Sequence, residues 1–167
     1  TYGVDKPDLR YGLPLVDVDD LARKSTFSTF HTVLEDKGCI KALKAPHSPQ
    51  LSYSRKYIGE LESAAKVYGA KGLAWIKVGP QNTLEGGVSK FFVGLENQLI
   101  EAMEATEGDM ILFVADQWKK CCNSLGAVRI KLARDLSLIN PGAFAFCWII
   151  DFPLFEYNEE AGHWEAA

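Results

Sequence analysis

Five basic residues are placed where they could contact the phosphates of a nucleic acid. Arg55 and Lys66 fall in a segment with helical periodicity and are eleven residues apart, close to three turns, so both could share one face. Lys71, Lys77 and Lys90 fall near the ends of predicted strands. Such side chains attract phosphate oxygens and position a nucleic-acid backbone without identifying its sequence. The chemistry that these residues suggest is phosphate binding.

An ordinary solvated surface is the competing interpretation of these basic residues. Glu60 and Glu62 belong to the same predicted helix and reduce the positive potential there. The chain has 18 Lys and Arg against 22 Asp and Glu, whereas domains that bind nucleic acid by bulk electrostatics usually carry a basic excess. No row of aromatic residues alternates with the lysines, as a single-strand stacking platform would need. The charge balance favours the solvated surface and leaves a local basic face as the alternative.

The histidines and cysteines lack the spacing of a catalytic or metal site. The local sequence around His31, His47 and His163 suggests no Ser/His/Asp or Cys/His arrangement. The cysteines have no metal-ligand spacing, so we expect reduced and partly buried thiols. The four are Cys39, Cys121, Cys122 and Cys147. The sequence therefore predicts neither a catalytic residue nor a metal ligand.

The pair Gly86-Gly87 is the one candidate for a phosphate-binding loop in the sequence. It lacks the Lys-Ser/Thr that follows the glycines of a P-loop and the spacing of a dinucleotide fingerprint. We interpret it as a bend in a short strand or loop between Leu84 and Phe92.

Four helices are predicted from periodicity and capping residues. A short helix over Val16–Ala22 has Asp17 as its N-cap, and a second, capped by Ser52 or Ser54, ends near Gly69. Leu95, Leu99 and Met103 mark a third. The longest, from Gln117 to Leu136 with Asp116 as N-cap, has an apolar stripe. The stripe consists of Trp118, Cys121, Leu125, Val128, Leu132 and Leu136.

The predicted strands have a different apolar pattern. Phe27–His31 and Cys39–Lys44 suggest a hairpin that turns at Asp36-Lys37-Gly38, and Leu73–Val78 and Met110–Val114 suggest buried strands. The apolar run Ala143–Phe152 predicts a strand buried on both faces, and His163-Trp-Glu165 predicts one arm of a hairpin whose other arm is missing.

Length and composition are those of a globular protein. The chain has 167 residues, 47% of them hydrophobic, and neither an apolar run near 18 residues nor an N-terminal signal pattern. These features predict a cytoplasmic protein without membrane contact. Because it starts at Thr1 without Met and ends after one hairpin arm, we expect an excised piece of a longer polypeptide.

Several sequence blocks, in the same order, resemble bacterial-type aspartyl-tRNA synthetases. Lys66-Val-Tyr-Gly-Ala-Lys-Gly-Leu-Ala-Trp-Ile-Lys-Val78 resembles their insertion domain, the GAD domain. Tyr2-Gly-Val-Asp-Lys-Pro-Asp-Leu-Arg10 resembles the segment that leads into the insertion, and Cys147-Trp-Ile-Ile-Asp-Phe-Pro-Leu-Phe-Glu-Tyr157 resembles the strand that returns from it. Gly126-Ala-Val-Arg-Ile-Lys-Leu-Ala-Arg-Asp135 also fits. The resemblance covers nearly the whole chain.

The resemblance implies an α+β fold in three parts. Residues 1–12 would lead in from a class II catalytic domain, and residues 13–141 would form a GAD-like insertion domain with a mixed or antiparallel sheet and packed helices. Residues 142–167 would be a return strand and partial hairpin of the catalytic domain. Gly12 and Pro141-Gly142 would be flexible junctions that permit hinge movement.

The resemblance also implies a function for the parent, a homodimeric ligase that joins aspartate to tRNA-Asp using ATP and Mg²⁺. This chain has neither a Phe-Arg-Asp-Glu-like run nor a late Gly-rich run ending in Arg, so ATP and aspartate would bind the absent catalytic core. The insertion would be non-catalytic and lie near the tRNA acceptor arm. Asp151 and Glu156, on the return strand, would support the parent's active site. The residues leave open whether the parent also charges tRNA-Asn.

Two alternatives remain at this point. A related GAD domain occurs in subunits of tRNA-dependent amidotransferases, and only the flanking segments favour the synthetase over it. A protein-interaction or structural module without RNA contact is the other alternative, and the acidic balance supports it.

Overall fold

The computed structural model describes residues 1–158 and 161–166, and its main body is a sheet between two layers of helices. The strands β1 (Leu15–Asp17), β2 (Cys39–Ala45), β3 (Ala74–Val78), β4 (Leu84–Glu85) and β5 (Met110–Asp116) are arranged in the order β1-β2-β5-β3-β4. All neighbouring pairs in this sheet are antiparallel. The helices are α1 (Asp19–Lys24), α2 (Ser28–Glu35), α3 (Arg55–Lys66), α4 (Glu96–Ala102) and α5 (Trp118–Asp135). The predicted α+β class with an antiparallel sheet and packed helices is confirmed.

Strand β5 lies in the middle of the sheet and is buried on both faces. Because side chains alternate along a strand, Met110, Leu112 and Val114 face one helical layer, and Ile111 and Phe113 face the other. All five are nearly inaccessible to solvent. An apolar strand of this kind is typical of the centre of a sheet covered on both sides.

Helices α3 and α5 form one layer. The predicted apolar stripe of α5 faces the sheet except for Trp118, which is 63% exposed because it is the first residue of the helix. Leu61 and Ala65 of α3 and Leu125, Val128 and Leu132 of α5 are fully buried against the sheet. Ser54 is the N-cap of α3, since its hydroxyl oxygen accepts a hydrogen bond from the Tyr57 amide at 3.2 Å. Gly69 has a φ of 90°, which supports its predicted role in ending the helix.

The other helical layer differs from the prediction. Residues Phe27–His31, predicted as a strand, belong to helix α2 and its N-cap. Phe27, Phe30 and Leu34 recur at intervals of three and four, and this helical period turns them towards the sheet. The Phe30 ring packs against the Phe113 ring of β5 with centroids 5.8 Å apart. Asp36-Lys37-Gly38 is therefore a helix-to-strand connection and not a hairpin turn.

Two predicted helix starts are displaced. Helix α1 begins at Asp19, since Val16 and Asp17 belong to β1, and the Asp17 carboxylate accepts a hydrogen bond from the Asp19 amide at 3.1 Å. Gln117, and not Asp116, occupies the N-cap of α5. Asp116 instead accepts a hydrogen bond from the adjacent Gln117 amide at 2.8 Å.

The predictions for the return segment, residues 142–167, are only partly correct. Ala143–Phe152 forms no strand, and no partner strand lies beside it among the described residues. The predicted arm at His163 exists as β7 (His163–Ala166), but its partner is present as β6 (Phe155–Asn158). Residues 159, 160 and 167 lie outside the described part of the chain.

None of the helices in the described ranges has the length and apolar character that crossing a membrane requires.

Candidate nucleic-acid interface

The unit formed by α3, the following turn and β3 positions four of the five basic residues that are candidates for phosphate binding. Arg55 is the first residue of α3 and Lys66 the last, so about 16 Å of helix axis separates them. Lys71 lies in the turn and Lys77 in β3, and all four side chains are exposed. Lys77 borders a hollow with the loop that precedes Arg55, whereas Lys66 and Lys71 both lie near Glu62, so the four residues fall into two groups.

A small polar hollow marks the first group. It has a volume of about 310 Å³ and is bordered by Lys77, by the loop before α3 and by Gly108. The loop contributes His47, Ser48, Ser52 and Tyr53, so hydroxyl and imidazole groups lie beside the ammonium group. A buried carboxylate holds this loop, because Asp109 accepts a hydrogen bond from the His47 amide at 2.6 Å. We call this region, with Arg55 and Lys77, the loop hollow.

The second group has a more mixed charge. Lys66 pairs with Glu62 on the preceding turn of α3, with 2.7 Å between Nζ and Oε1. Glu62 and Lys71 also border a cavity of about 660 Å³ between α2 and the start of β3. Phe27, Phe30 and Phe113 contribute to its lining. The carboxylate of Glu62 therefore offsets part of the positive charge of the two lysines.

Lys90 lies apart from the other four. It belongs to a 3₁₀ turn, Ser89–Phe91, and its Nζ is 4.9 Å from the centre of the Phe91 ring. Phe91 packs on the sheet face covered by α1, α2 and α4, whereas α3 covers the opposite face. The structure thus divides the five predicted residues among three places and does not form one basic face.

The interpretation of Gly86-Gly87 as a bend agrees with the packing of Trp75. Both glycines have positive φ, 66° and 49°. A Cβ at Gly86 would be 2.5 Å from the Trp75 ring, and one at Gly87 would collide with the Trp75 carbonyl oxygen. Close approach to this tryptophan explains both glycines, because only a residue without a Cβ fits there.

The thiols and histidines form no reactive cluster among the described residues. Cys39, Cys121 and Cys122 are buried, and desolvation raises the pKa of each thiol, which disfavours the reactive thiolate. His31 is hydrogen-bonded to the Ser25 carbonyl oxygen at 2.7 Å, and no described group of His, Cys, Asp and Glu could hold a metal ion.

The two acidic residues predicted to support the parent's active site are exposed here. Asp151 lies in the irregular part of the return segment. Glu156 lies on β6, and its Oε2 is 2.8 Å from Lys119 Nζ of α5. Their role in a longer enzyme stays a prediction.

Arg129 is the residue that the sequence analysis missed. It lies on α5 with no accessible surface, and its guanidinium donates hydrogen bonds to backbone carbonyls of residues 8–13. Burial lowers the pKa of this guanidinium, against the opposing effect of Tyr11, Tyr2 and Asp8. Its position four residues after Leu125 and three before Leu132 puts it on the apolar stripe, which is a signal readable from the sequence.

A partly buried polar contact joins the two helices of this layer. The Tyr57 hydroxyl of α3 donates to Asp135 Oδ2 of α5 at 2.7 Å, and Lys131 Nζ is 2.8 Å from the same oxygen. Burial disfavours the charged carboxylate, but the hydrogen bonds from Lys131 and Tyr57 outweigh it and lower the pKa of Asp135.

Comparison with known proteins shows similarity along the whole chain. The chain is 52% identical over 167 residues to the Aspartate–tRNA(Asp/Asn) ligase of Treponema denticola and 47% identical over 167 residues to that of a Geobacillus strain. It is 42% identical over 167 residues to the Aspartate–tRNA ligase of Bacillus licheniformis. In each case the match covers 99% of this chain but only 28% of the relative, so the chain spans little more than a quarter of their length.

The family match covers the body described above, from helix α2 to the first half of helix α5. Residues 30–125, more than half of the chain, match the GAD domain, and the sheet strands β2 to β5 with α3 and α4 all lie within this range. The chain belongs to the GAD domain family.

Proposed function

We propose that this chain is the insertion segment of an aspartate–tRNA ligase, an enzyme of protein biosynthesis. In this proposal residues 1–12 lead in from the catalytic domain, residues 13–141 are the insertion, and residues 142–167 return to the catalytic domain. The observation that carries the proposal is the similarity to ligases over 99% of the chain, at 52% identity to one of them. The match extends beyond residues 30–125 at both ends, which favours a ligase over an amidotransferase subunit.

The exposed apolar side chains of the return segment support its assignment to another domain. More than three quarters of each of five side chains is accessible: Phe144, Phe146, Trp148, Ile150 and Leu154. Contiguous apolar surface of this kind is typical of a region that another part of a protein covers. In our proposal the covering part is the catalytic domain, where Asp151 and Glu156 would support the active site.

The ligase chemistry would take place outside this chain. Trp75 fills the space at Gly86-Gly87, so this loop does not fit a phosphate group, and no group of His, Cys, Asp and Glu among the described residues could hold a metal ion. In our proposal ATP, Mg²⁺ and aspartate bind the catalytic domain of a cytoplasmic homodimer. The GAD domain would contribute to tRNA contact and not to adenylate formation.

The loop hollow is the part of the chain that we propose for contact with the tRNA acceptor arm. No ion pair holds Arg55 or Lys77 among the described residues, whereas Lys66 is paired with Glu62. The hydroxyl groups of Ser48 and Ser52 lie beside Lys77 and can donate to phosphate oxygens. Lys66, Lys71 and Lys90 would make at most secondary contacts, because they belong to other parts of the surface.

Binding of tRNA-Asp at two salt concentrations tests this assignment. We expect the double variant Arg55→Gln/Lys77→Gln to bind roughly tenfold more weakly at low salt and to lose about one unit of salt slope per phosphate contact. The control Arg23→Gln/Lys24→Gln removes the same charge from α1 in the other helical layer. Equal weakening by both variants would contradict a local contact, and no binding at low salt would favour the protein-interaction alternative.

Adenylate formation tests the division of labour. The 167-residue chain, supplied with ATP, Mg²⁺ and aspartate, is expected to release no pyrophosphate above background, whereas the ligase containing it is active. Pyrophosphate release by the chain alone would contradict a non-catalytic insertion.

A further inference from the structure

Residues 1–12, which we call the entry segment, are held against α5 by a buried arginine. Arg129 donates from Nη2 to the carbonyl oxygens of Asp8 and Gly12, at 2.7 and 2.6 Å. Its Nε donates to the carbonyl oxygens of Gly12 and Leu13, at 3.0 and 2.9 Å. Its Nη1 donates to the Tyr11 hydroxyl at 3.1 Å. One side chain is thus hydrogen-bonded to both ends of the turn formed by residues 8–13.

Among the described residues, no carboxylate lies within hydrogen-bonding distance of the Arg129 guanidinium. Instead, the guanidinium carbon lies 4.2 Å from the centre of the Tyr11 ring and 4.7 Å from that of Tyr2. Aromatic faces and carbonyl dipoles both attract a cation, and the attraction grows when water is excluded. All of these stabilising groups belong to the entry segment or to the residue after it, so removal of the segment would take away most of these hydrogen bonds and both ring contacts.

A second contact, independent of Arg129, joins the same segment to the same helix. The backbone of Gly3 passes so close to α5 that a Cβ at Gly3 would collide with the Cys122 carbonyl oxygen. A Cβ at Gly126 would in turn be 2.9 Å from the Gly3 carbonyl oxygen. The Thr1 carbonyl oxygen also accepts a hydrogen bond from the Leu15 amide at 2.6 Å, which closes the segment onto β1.

In the part of the chain that the structure describes, no buried side chain holds the other end of the domain in this way. Pro141 and Gly142 are exposed, and the residues from Ala143 to Ile150 have no regular structure. Several of their large apolar side chains are almost completely accessible, among them Phe146 at 92% and Trp148 at 94%. The two junctions of the domain therefore differ in their attachment.

From this asymmetry we infer that Arg129 is a positioning residue that makes the entry segment part of the rigid body of the GAD domain, so that the domain pivots at residues 139–142 and not at Gly12. The terms entry and pivot rest on the proposed insertion into a ligase, but the lock itself is a property of this chain. Movement of the domain would carry residues 1–12 with it. Arg129 would thereby set the direction in which the domain leaves its host.

Limited digestion of the 167-residue chain with chymotrypsin measures both junctions at once. The protease cleaves after aromatic residues, which the entry segment supplies at Tyr11 and the return segment at Phe144 and Phe146. Cleavage needs local opening, so its rate reports the stability of each segment. We expect rapid cleavage after Phe144 and Phe146 and at least tenfold slower cleavage after Tyr11.

Arg129→Lys tests the role of the guanidinium, because a lysine keeps the charge but cannot form the same fork of hydrogen bonds. We expect cleavage after Tyr11 to accelerate about tenfold, with unchanged rates after Phe146 and after Phe113 in the core. Arg23→Lys, at an exposed arginine on α1, is the control and should leave all three rates unchanged. Gly3→Ala should also accelerate cleavage after Tyr11, through the second contact.

Three results would overturn the inference. They are cleavage after Tyr11 as fast as after Phe146 in the unchanged chain, no acceleration in Arg129→Lys, or equal acceleration at Tyr11 and Phe113, which would indicate global destabilisation. None of these results bears on adenylate formation or on tRNA binding, so the lock and the proposed function can fail separately.

Discussion

At the scale of single residues, the polar side chains of α5 decide how the parts of the chain are joined. Arg129 connects the entry segment to this helix, and Asp135 connects α3 to it. Both side chains satisfy buried or half-buried partners, so removing either leaves polar groups without hydrogen bonds. Such residues stabilise the fold through hydrogen bonds of specific geometry. Replacing the charged side chain by a neutral one of similar size measures this contribution to the free energy of unfolding.

Asp135→Asn should lower the free energy of unfolding by roughly 1 kcal/mol at neutral pH, because it removes the charge that Lys131 and Tyr57 stabilise. The folded-state pKa of Asp135 lies below its ordinary value of 3.8. The stabilisation is therefore complete above about pH 4 and is lost as the pH falls through the lower, folded-state value. Urea denaturation between pH 2 and pH 7 measures the difference.

The expected result is a difference in the free energy of unfolding between the native chain and Asp135→Asn that becomes smaller as the pH falls below 4. Glu101→Gln, at an exposed carboxylate on α4, controls for the loss of one negative charge. A difference in unfolding free energy that stays constant across the whole pH range would show that the charge of Asp135 does not contribute to stability.

The role of a single residue is predictable from the sequence only where it depends on neighbouring residues in the chain. The bend at Gly86-Gly87 was predicted, but its cause, the approach of Trp75, depends on a residue eleven positions earlier. Arg129 was missed because its partners are more than a hundred residues away. A charged residue on an apolar stripe is the one local sign of such a role, and it does not name the partner.

At the scale of elements, caps and periodicity explain most of the helices and strands. Helix α3 illustrates this, since Ser54 caps it, Leu61 and Ala65 face the core, and Gly69 follows its end. The wrong assignment of α2 shows the limit of this reasoning. Four or five residues with alternating polarity can also satisfy the helical period, and the choice depends on whether a neighbouring strand or a sheet face is available.

Ser54→Ala should reduce the free energy of unfolding by about 1 kcal/mol, because the Tyr57 amide loses the acceptor that caps the helix. The measurement is the midpoint of urea denaturation at an unchanged slope. Ser63→Ala on the same helix is the control, since its exposed hydroxyl only donates back to the Gly59 carbonyl oxygen. Equal losses in the two variants would argue against capping as the cause.

At the scale of the whole molecule, the two terminal segments differ in their importance for stability. The entry segment satisfies Arg129, whereas the return segment contacts α5 through an exposed ion pair between Glu156 and Lys119. Exposed ion pairs contribute little, whereas the loss of hydrogen bonds to a charged side chain costs roughly 1.5–3 kcal/mol. The ends of the chain should therefore respond very differently to deletion.

Deletion of residues 1–12 should lower the midpoint of thermal unfolding by about 10 °C, the shift expected from a loss of roughly 3 kcal/mol. Deletion of residues 142–167 should change it by less than about 2 °C, because the main body keeps its core. Calorimetry of the two truncated chains beside the intact one measures both effects. A larger loss from the second deletion would contradict the proposed division of the chain.

The sequence by itself determined the α+β class, helices α3, α4 and α5, strands β2, β3 and β5, and membership of the GAD domain family. The helices and strands depend on periodicity, caps and glycine turns, which act between residues close in the chain, whereas the family follows from the resemblance of several sequence blocks. Only the tertiary structure decided that Ser28–Glu35 form a helix, that the basic residues divide among three places, and that Arg129 holds the entry segment. Those features depend on contacts between distant residues, which local patterns leave undetermined because burial and partner choice are set by the packed whole.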